Sequence, residues 1–331
     1  MPIPESLQVK QLDMELNGGC NYKCEMCPQV DGREKDFLKK LPLDVFEKVV
    51  DDAMAYGLES VSLHGSGEPS LNANMPDFVR VVKDRGLKCI SFTNGSKLTE
   101  ELARRLIEAK IDVLRFSVIG YDRDSYQRWM SKDLFEDVRV NARRFVELNA
   151  ELGGSSQLHL YHLVTDAERI EDEVAAYQTN WVTYTGGFAE IWMMHNWSGE
   201  YTGGFDRAAS QGRPKRRSCG RPFSPLLQVR AGGLEGHNAA VVACCMVLGK
   251  DSQAVLGHLD SQSIAEVVCG EPYEALRAAH REERFDDIPY CAGCDQLYDF
   301  PNALVWSNIP GRQYGESKVV AGLDHRKFAE S

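Results

Sequence analysis

The sequence is poor in what would tie it to a membrane or a nucleic acid. None of its apolar runs approaches the ~20 residues that cross a bilayer. Its first residues, Met1-Pro-Ile-Pro-Glu-Ser6, lack the basic-then-apolar pattern of a secretion signal. Positive charge is scarce: 38 Lys and Arg face 49 Asp and Glu, a formal net charge of −11. A general binder of nucleic acid or of anionic lipid is therefore not expected. The local exception, Arg213-Pro-Lys215-Arg216-Arg217, reads as a solvated connection. There is no low-complexity tract, and no repeat beyond an alternation of strands and helices. With no secretion signal, the ten cysteines point to metal ligation in a reducing cytoplasm rather than to disulfides.

Three of those cysteines fall within eight residues, Cys20-Asn-Tyr-Lys-Cys24-Glu-Met-Cys27, directly after a strand-like run at 7–16. No histidine or fourth cysteine stands beside them, so a structural zinc site would be one ligand short. Three thiolates from one loop suit a soft centre, and an iron–sulfur cluster so held keeps one iron open for another ligand.

Strand patterns at 7–16, 60–63, 89–93, 113–118, 158–164 and 188–194 alternate with helical patterns at 43–56, 75–85, 99–109, 122–129, 134–152 and 168–179. This order calls for a parallel α/β sheet, as an open twisted sheet or a partial (βα)6 barrel. Ligands of either bind at the carboxyl ends of the strands. The cysteine loop, the turn Gly65-Ser-Gly-Glu68-Pro69, Asn94 and Ser117 all lie there. Glycines and a basic run at 199–217 interrupt the pattern. Beyond them a hairpin at 226–230 and 240–244, helices at 262–268 and 272–282, and Cys291-Ala-Gly-Cys294 make a small α+β unit. The expected organisation is a first domain over 1–200, a linker over 201–218, a cysteine-bearing domain over 219–296, and a mostly irregular extension over 297–331. Four thiols at such spacings suit either a cluster or structural zinc.

The pairing of Cys20–Cys24–Cys27 after the first strand with Gly65–Pro69 after the second resembles the radical S-adenosylmethionine (SAM) superfamily. The resemblance covers about residues 9–200 and implies the six-stranded partial barrel. It implies that Cys20, Cys24 and Cys27 hold a [4Fe–4S] cluster whose open iron binds SAM. Gly65, Gly67, Glu68, Pro69, Asn94 and Ser117 would contact SAM, with Met26 standing where the family often has an aromatic. The second half resembles the auxiliary-cluster domains of that superfamily, the SPASM and shorter twitch types. No cysteine follows Cys294, so one auxiliary [4Fe–4S] cluster is expected, on Cys219, Cys244, Cys291 and Cys294. Cys245 is an alternative ligand, a bystander or a hydrogen-atom donor; Cys89 and Cys269 are expected to be bystanders.

The resemblance further implies a 5′-deoxyadenosyl radical that takes hydrogen from a substrate C–H, and a flavodoxin- or ferredoxin-type reductant. A hydroxyl- and amine-rich small molecule is expected. Oxidation of a secondary alcohol to a ketone, as by the aminocyclitol dehydrogenases of antibiotic biosynthesis, is the first expectation. Epimerisation with Cys245 as donor, and maturation of a ribosomal peptide, are the alternatives; few residues precede strand one, which weighs against the last. Tyr161 or His162, His195, Asn196 and Asp295 are the candidate substrate contacts.

Overall fold

The structure, a computed structural model, describes residues 7–202, 215–298 and 303–310. Six strands form its centre: β1 (Gln11–Met14), β2 (Ser60–Leu63), β3 (Lys88–Thr93), β4 (Val113–Ser117), β5 (Gln157–Val164) and β6 (Phe188–Met193). They pair in chain order and all in parallel. The crossover helices are α1 (Leu43–Met54), α2 (Met75–Asp84), α3 (Glu100–Glu108), α4 (Arg123–Met130), α5 (Phe135–Glu151) and α6 (Ile170–Tyr177). Their apolar stripes decide this arrangement. In α1, Phe46, Val49, Val50 and Ala53 recur at helical spacing and are buried against the sheet. The Thr99 side chain accepts the Leu102 N–H and fixes where α3 begins. Asp122 and Ser125 form a reciprocal cap that starts α4.

The hairpin expected after the interruption is present as β7 (Leu226–Gly232) and β8 (Asn238–Val242), followed by β9 (Val255–His258), α7 (Ile264–Val268) and α8 (Glu271–Arg281). It does not build a sheet of its own. β7 pairs in parallel with β1, so Gln11 stands opposite Leu226 and Met14 opposite Val229. One segment expected to be irregular contributes a strand: β10 (Leu304–Ser307) runs antiparallel to β6. Four residues between turns are too few to display a period. The result is one ten-stranded sheet in the order β10-β6-β5-β4-β3-β2-β1-β7-β8-β9. Residues 203–214, most of the expected linker, lie outside the described residues. Lys215 and Arg216 pair with Glu283 and Asp286. No described helix is long and apolar enough to cross a membrane.

Candidate active site

Chain crossing at the ends of β1 and β2 sets the first wall of the site. The turn after β2 packs so tightly on the residues leaving β1 that a Cβ on Gly67 would stand 1.9 Å from the Asn17 carbonyl oxygen. Only glycine fits there. Glu15 holds this turn. Its Oε2 accepts the N–H groups of Ser66 at 2.6 Å and Gly67 at 3.3 Å, and its Oε1 accepts from Arg33 at 3.0 Å and the Ala231 N–H at 3.2 Å. Glu68 turns inward. Its Oε1 accepts from the Ser70 N–H (3.0 Å), Ser70 Oγ (2.6 Å) and Thr93 Oγ1 (2.7 Å), while Oε2 accepts the Asn94 N–H (2.7 Å). A carboxylate has about four lone-pair sites, so Oε2 retains room for one further donor. Burial raises the Glu68 carboxyl, and these donors offset part of that rise. Asn94 is itself oriented by Asn21 at 2.9 Å.

The three loop cysteines face the same space. Burial is the main cause that pushes the Cys20 thiol up to about 11, and the charges of Glu68 and Cys27 add to it. Cys24 and Cys27 are raised for the same first reason. Three thiols this close resist ionising alone, whereas iron would deprotonate them outright. The donor set thus fits a thiolate-held cluster. Among the described residues no three His, Cys, Asp or Glu side chains close on a single-ion site.

Between these loops and the strands lies a cavity of about 370 Å³. Cys20, Cys24, Met26, Cys27, the Gly65–Pro69 turn, Asn94 and Ser117 line it, as do Tyr161, His195 and Cys245. Its floor was not singled out in the sequence. Alternation along each strand points Asp13 of β1, His64 after β2, Arg115 of β4, Glu190 of β6 and Gln228 of β7 inward. Arg115 Nη2 meets Glu190 Oε1 at 2.7 Å. Trp192 Nε1 donates to Glu190 Oε2 at 2.8 Å. Burial lowers the His64 pKa, with Asp13 acting the other way; its Nδ1 lies 2.9 Å from Ser62 Oγ and its Nε2 3.7 Å from Asp13. The signal for these residues was available: each charged member interrupts a strand otherwise built to be buried on both faces.

Three expected contacts are placed elsewhere. His162 lies on the opposite face of β5 from Tyr161, fully buried, with Nε2 2.7 Å from Glu173 Oε1 and its ring 4.4 Å from that of Tyr177. Asn196 and Asp295 do not line the cavity but clasp each other. The Asn196 N–H donates to Asp295 Oδ2 at 3.0 Å, and Asn196 Oδ1 accepts the Asp295 N–H at 3.1 Å. They tie the end of β6 to the Cys291–Cys294 turn.

Five of the C-terminal cysteines occupy three settings. Cys294 lies in an apolar cluster with Phe285 and Leu297, against which Cys219 and Cys291 pack. Burial raises Cys294 to about 12, with Asp295 and Cys219 adding to it. His280 Nε2 stands 3.6 Å from Cys291 Sγ. Cys244 packs beside Val242 and Tyr290, and its sulfur accepts the Met246 N–H at 3.3 Å. The Tyr22 N–H approaches Cys20 in the same two-residue pattern at 3.5 Å. Cys245 turns to the cavity instead.

The radical SAM superfamily profile matches residues 14–176, and that of an iron–sulfur cluster-binding domain, SPASM, matches residues 236–295. A probable GTP 3′,8-cyclase of Methanococcus maripaludis is 26% identical over 141 residues, 43% of this chain and 47% of that protein. The chain spans about half the length of the curated relatives it matches. Among solved structures, BtrN in complex with AdoMet and 2-DOIA superposes with a TM-score of 0.57 at 18% identity, covering 87% of this chain and 93% of that one. Streptococcus suis SuiB bound to the precursor peptide SuiA superposes with a TM-score of 0.58 at 15% identity, covering 82% and 67%. At these identities the likeness is one of fold.

Proposed function

Because this chain is a radical SAM superfamily protein with a C-terminal iron–sulfur cluster-binding domain, we propose that it oxidises a carbinol carbon of a small hydroxyl- and amine-rich molecule, an aminocyclitol or sugar, to a ketone. The observation that carries this reading is the cavity floor. Asp13, His64, Arg115, Tyr161, Glu190 and Gln228 offer donors and acceptors from five strands and one loop, in the cavity that the Gly65–Pro69 turn and the three loop cysteines also line. Bound SAM and its [4Fe–4S] cluster, given one electron by a flavodoxin- or ferredoxin-type reductant, supply the 5′-deoxyadenosyl radical that removes the hydrogen atom.

The chain's own residues do the rest. Cys20, Cys24 and Cys27 hold that cluster. The Gly65–Pro69 turn, Asn94 and Ser117 hold SAM, with Met26 as apolar packing. Tyr161, the Arg115–Glu190 pair and Gln228 orient substrate hydroxyls. Lowered by burial, His64 is neutral near pH 7 and can take the hydroxyl proton, with Asp13 beside it to stabilise the imidazolium. Cys219, Cys244, Cys291 and Cys294 would hold an auxiliary cluster, which would supply an acceptor for one electron. Loss of a hydrogen atom, then of one electron and one proton, balances alcohol to ketone.

A second reading is favoured by one observation: the Cys245 thiol lines the cavity while Cys244 does not. A thiol there could return a hydrogen atom to the opposite face of the carbon and invert it. Turnover in deuterated water separates the two. Oxidation gives a ketone without solvent deuterium on the reacting carbon, and survives Cys245→Ala. Epimerisation places deuterium on that carbon and is lost in Cys245→Ala. Product formed without release of 5′-deoxyadenosine would overturn both.

A further inference from the structure

Four arginines stand in or beside the cavity; three have buried, charge-paired side chains, and the fourth, Arg221, is partly buried with its Nε enclosed. Arg115 meets Glu190 at 2.7 Å, Arg230 meets Asp251 at 2.7 Å, and Arg33 meets Glu15 at 3.0 Å and Asp251 at 3.2 Å. Arg221 is built differently. It follows Cys219 by two residues, opening the short 3-10 turn Arg221–Phe223, and Gly220 in the left-handed region (φ 79°) sets its direction. It lines the cavity beside Cys245. Among the described residues it has no carboxylate partner, and its buried Nε has no acceptor. Its electrostatic neighbours are the thiols of Cys245, Cys244, Cys219 and Cys294.

A guanidinium drawn partly out of water without a counter-ion is unfavourable, so the position suits an anion. Neutral thiols do not provide one. Four thiolates around a [4Fe–4S] core carry net negative charge, and one unit more when the cluster is reduced. We propose that Arg221 is the cation that sets the reduction potential of the C-terminal cluster, raising it so that the cluster can accept an electron from the substrate radical. In that step the radical is oxidised by one electron, the cluster is reduced by one, and the substrate's hydroxyl proton passes to the cavity base. A fixed positive charge in a low-dielectric setting favours the more negative, reduced form. The inference rests on the reading that these cysteines hold a cluster. The effect on the potential does not depend on which product forms, whereas the electron step belongs to the oxidation reading alone.

The test is a potentiometric titration, followed by electron paramagnetic resonance, of the full-length, anaerobically reconstituted protein. Cys20, Cys24 and Cys27 are replaced by alanine so that only the C-terminal cluster titrates. Arg221→Gln should make the reduction equilibrium at least tenfold less favourable, which for a one-electron couple is a shift of about 59 mV to more negative potential. Arg221→Lys, which keeps the charge, should recover most of that shift. Both variants should retain the iron content of their parent. An unchanged potential in Arg221→Gln would overturn the proposal. So would loss of iron from either variant, because Arg221 would then be part of the scaffold that builds the cluster. A shifted potential in a protein that oxidises no polyhydroxylated substrate would leave this inference standing and remove the oxidation reading instead.

Discussion

Replacing Asp251 by asparagine tests how the two halves of the chain are joined. Asp251 is fully buried, and its two oxygens receive Arg230 Nε at 2.7 Å and Arg33 Nε at 3.2 Å. Arg33 continues to Glu15, which holds the Gly65–Pro69 turn. Asp251→Asn keeps the shape but removes the charge between two buried guanidiniums. Breaking a buried ion pair by removing one partner costs about 3–5 kcal/mol. The loss of two charge-assisted hydrogen bonds, at about 1.5–3 kcal/mol each, gives a similar figure. That is a large part of a typical stability of about 5–15 kcal/mol. The assay is urea unfolding with midpoint and slope fitted separately, against Glu147→Gln as control. The Arg143–Glu147 pair is 54% and 43% exposed, so the control should cost no more than about 1 kcal/mol. Acid adds a signature. Burial acts to raise the Asp251 carboxyl, but Arg230 and Arg33 outweigh it and hold the group below 3.8. Its contribution is therefore complete above pH ~4 and is lost as pH falls through the folded value, so wild type and variant should converge there. A loss equal to that of the control, or a gap that does not narrow in acid, would refute the reasoning.

Three further outcomes are expected. His162→Ala should cost about 2–4 kcal/mol of stability, from the emptied site and the orphaned Glu173, and leave KM unchanged. Tyr161→Phe should do the reverse, altering KM or kcat with stability within about 1 kcal/mol; thermal melts beside steady-state kinetics read both. Glu68→Gln puts an amide N–H₂ among four donors, at about 1–3 kcal/mol, so SAM binding by equilibrium dialysis should weaken about tenfold or more.

The parallel βα order was legible because each helix carries its own apolar stripe and each strand its own run. The Ser60–Leu63 strand coincides with its sequence pattern to the residue. The cysteine loop and the Gly65–Pro69 turn were legible because their chemistry is local: spacing alone brings the thiols together, and glycine marks a close approach. What stayed hidden depends on distant partners. Asn196 looked like a substrate contact, yet its partner lies 99 residues away, and nothing in either segment announces the clasp. Tyr161 and His162 could not be told apart until the sheet had a face. The cavity floor was missed because Asp13, Arg115 and Glu190 each seem an isolated interruption of an apolar strand until the fold brings them to one cavity.

The place of β1 has a consequence for how the chain is made. β1 is flanked by β2 on one side and by β7, more than two hundred residues later, on the other. As synthesis runs from the N-terminus, the strand that leads into the cysteine loop waits with one row of backbone N–H and C=O groups bare until residues 226–229 arrive. Such an edge invites pairing with a second chain, and closing so long a loop is slow. A fragment ending near residue 200 would keep that bare edge permanently, and should associate rather than stay monomeric. The C-terminal half is thus both a candidate cluster carrier and the cover of that edge.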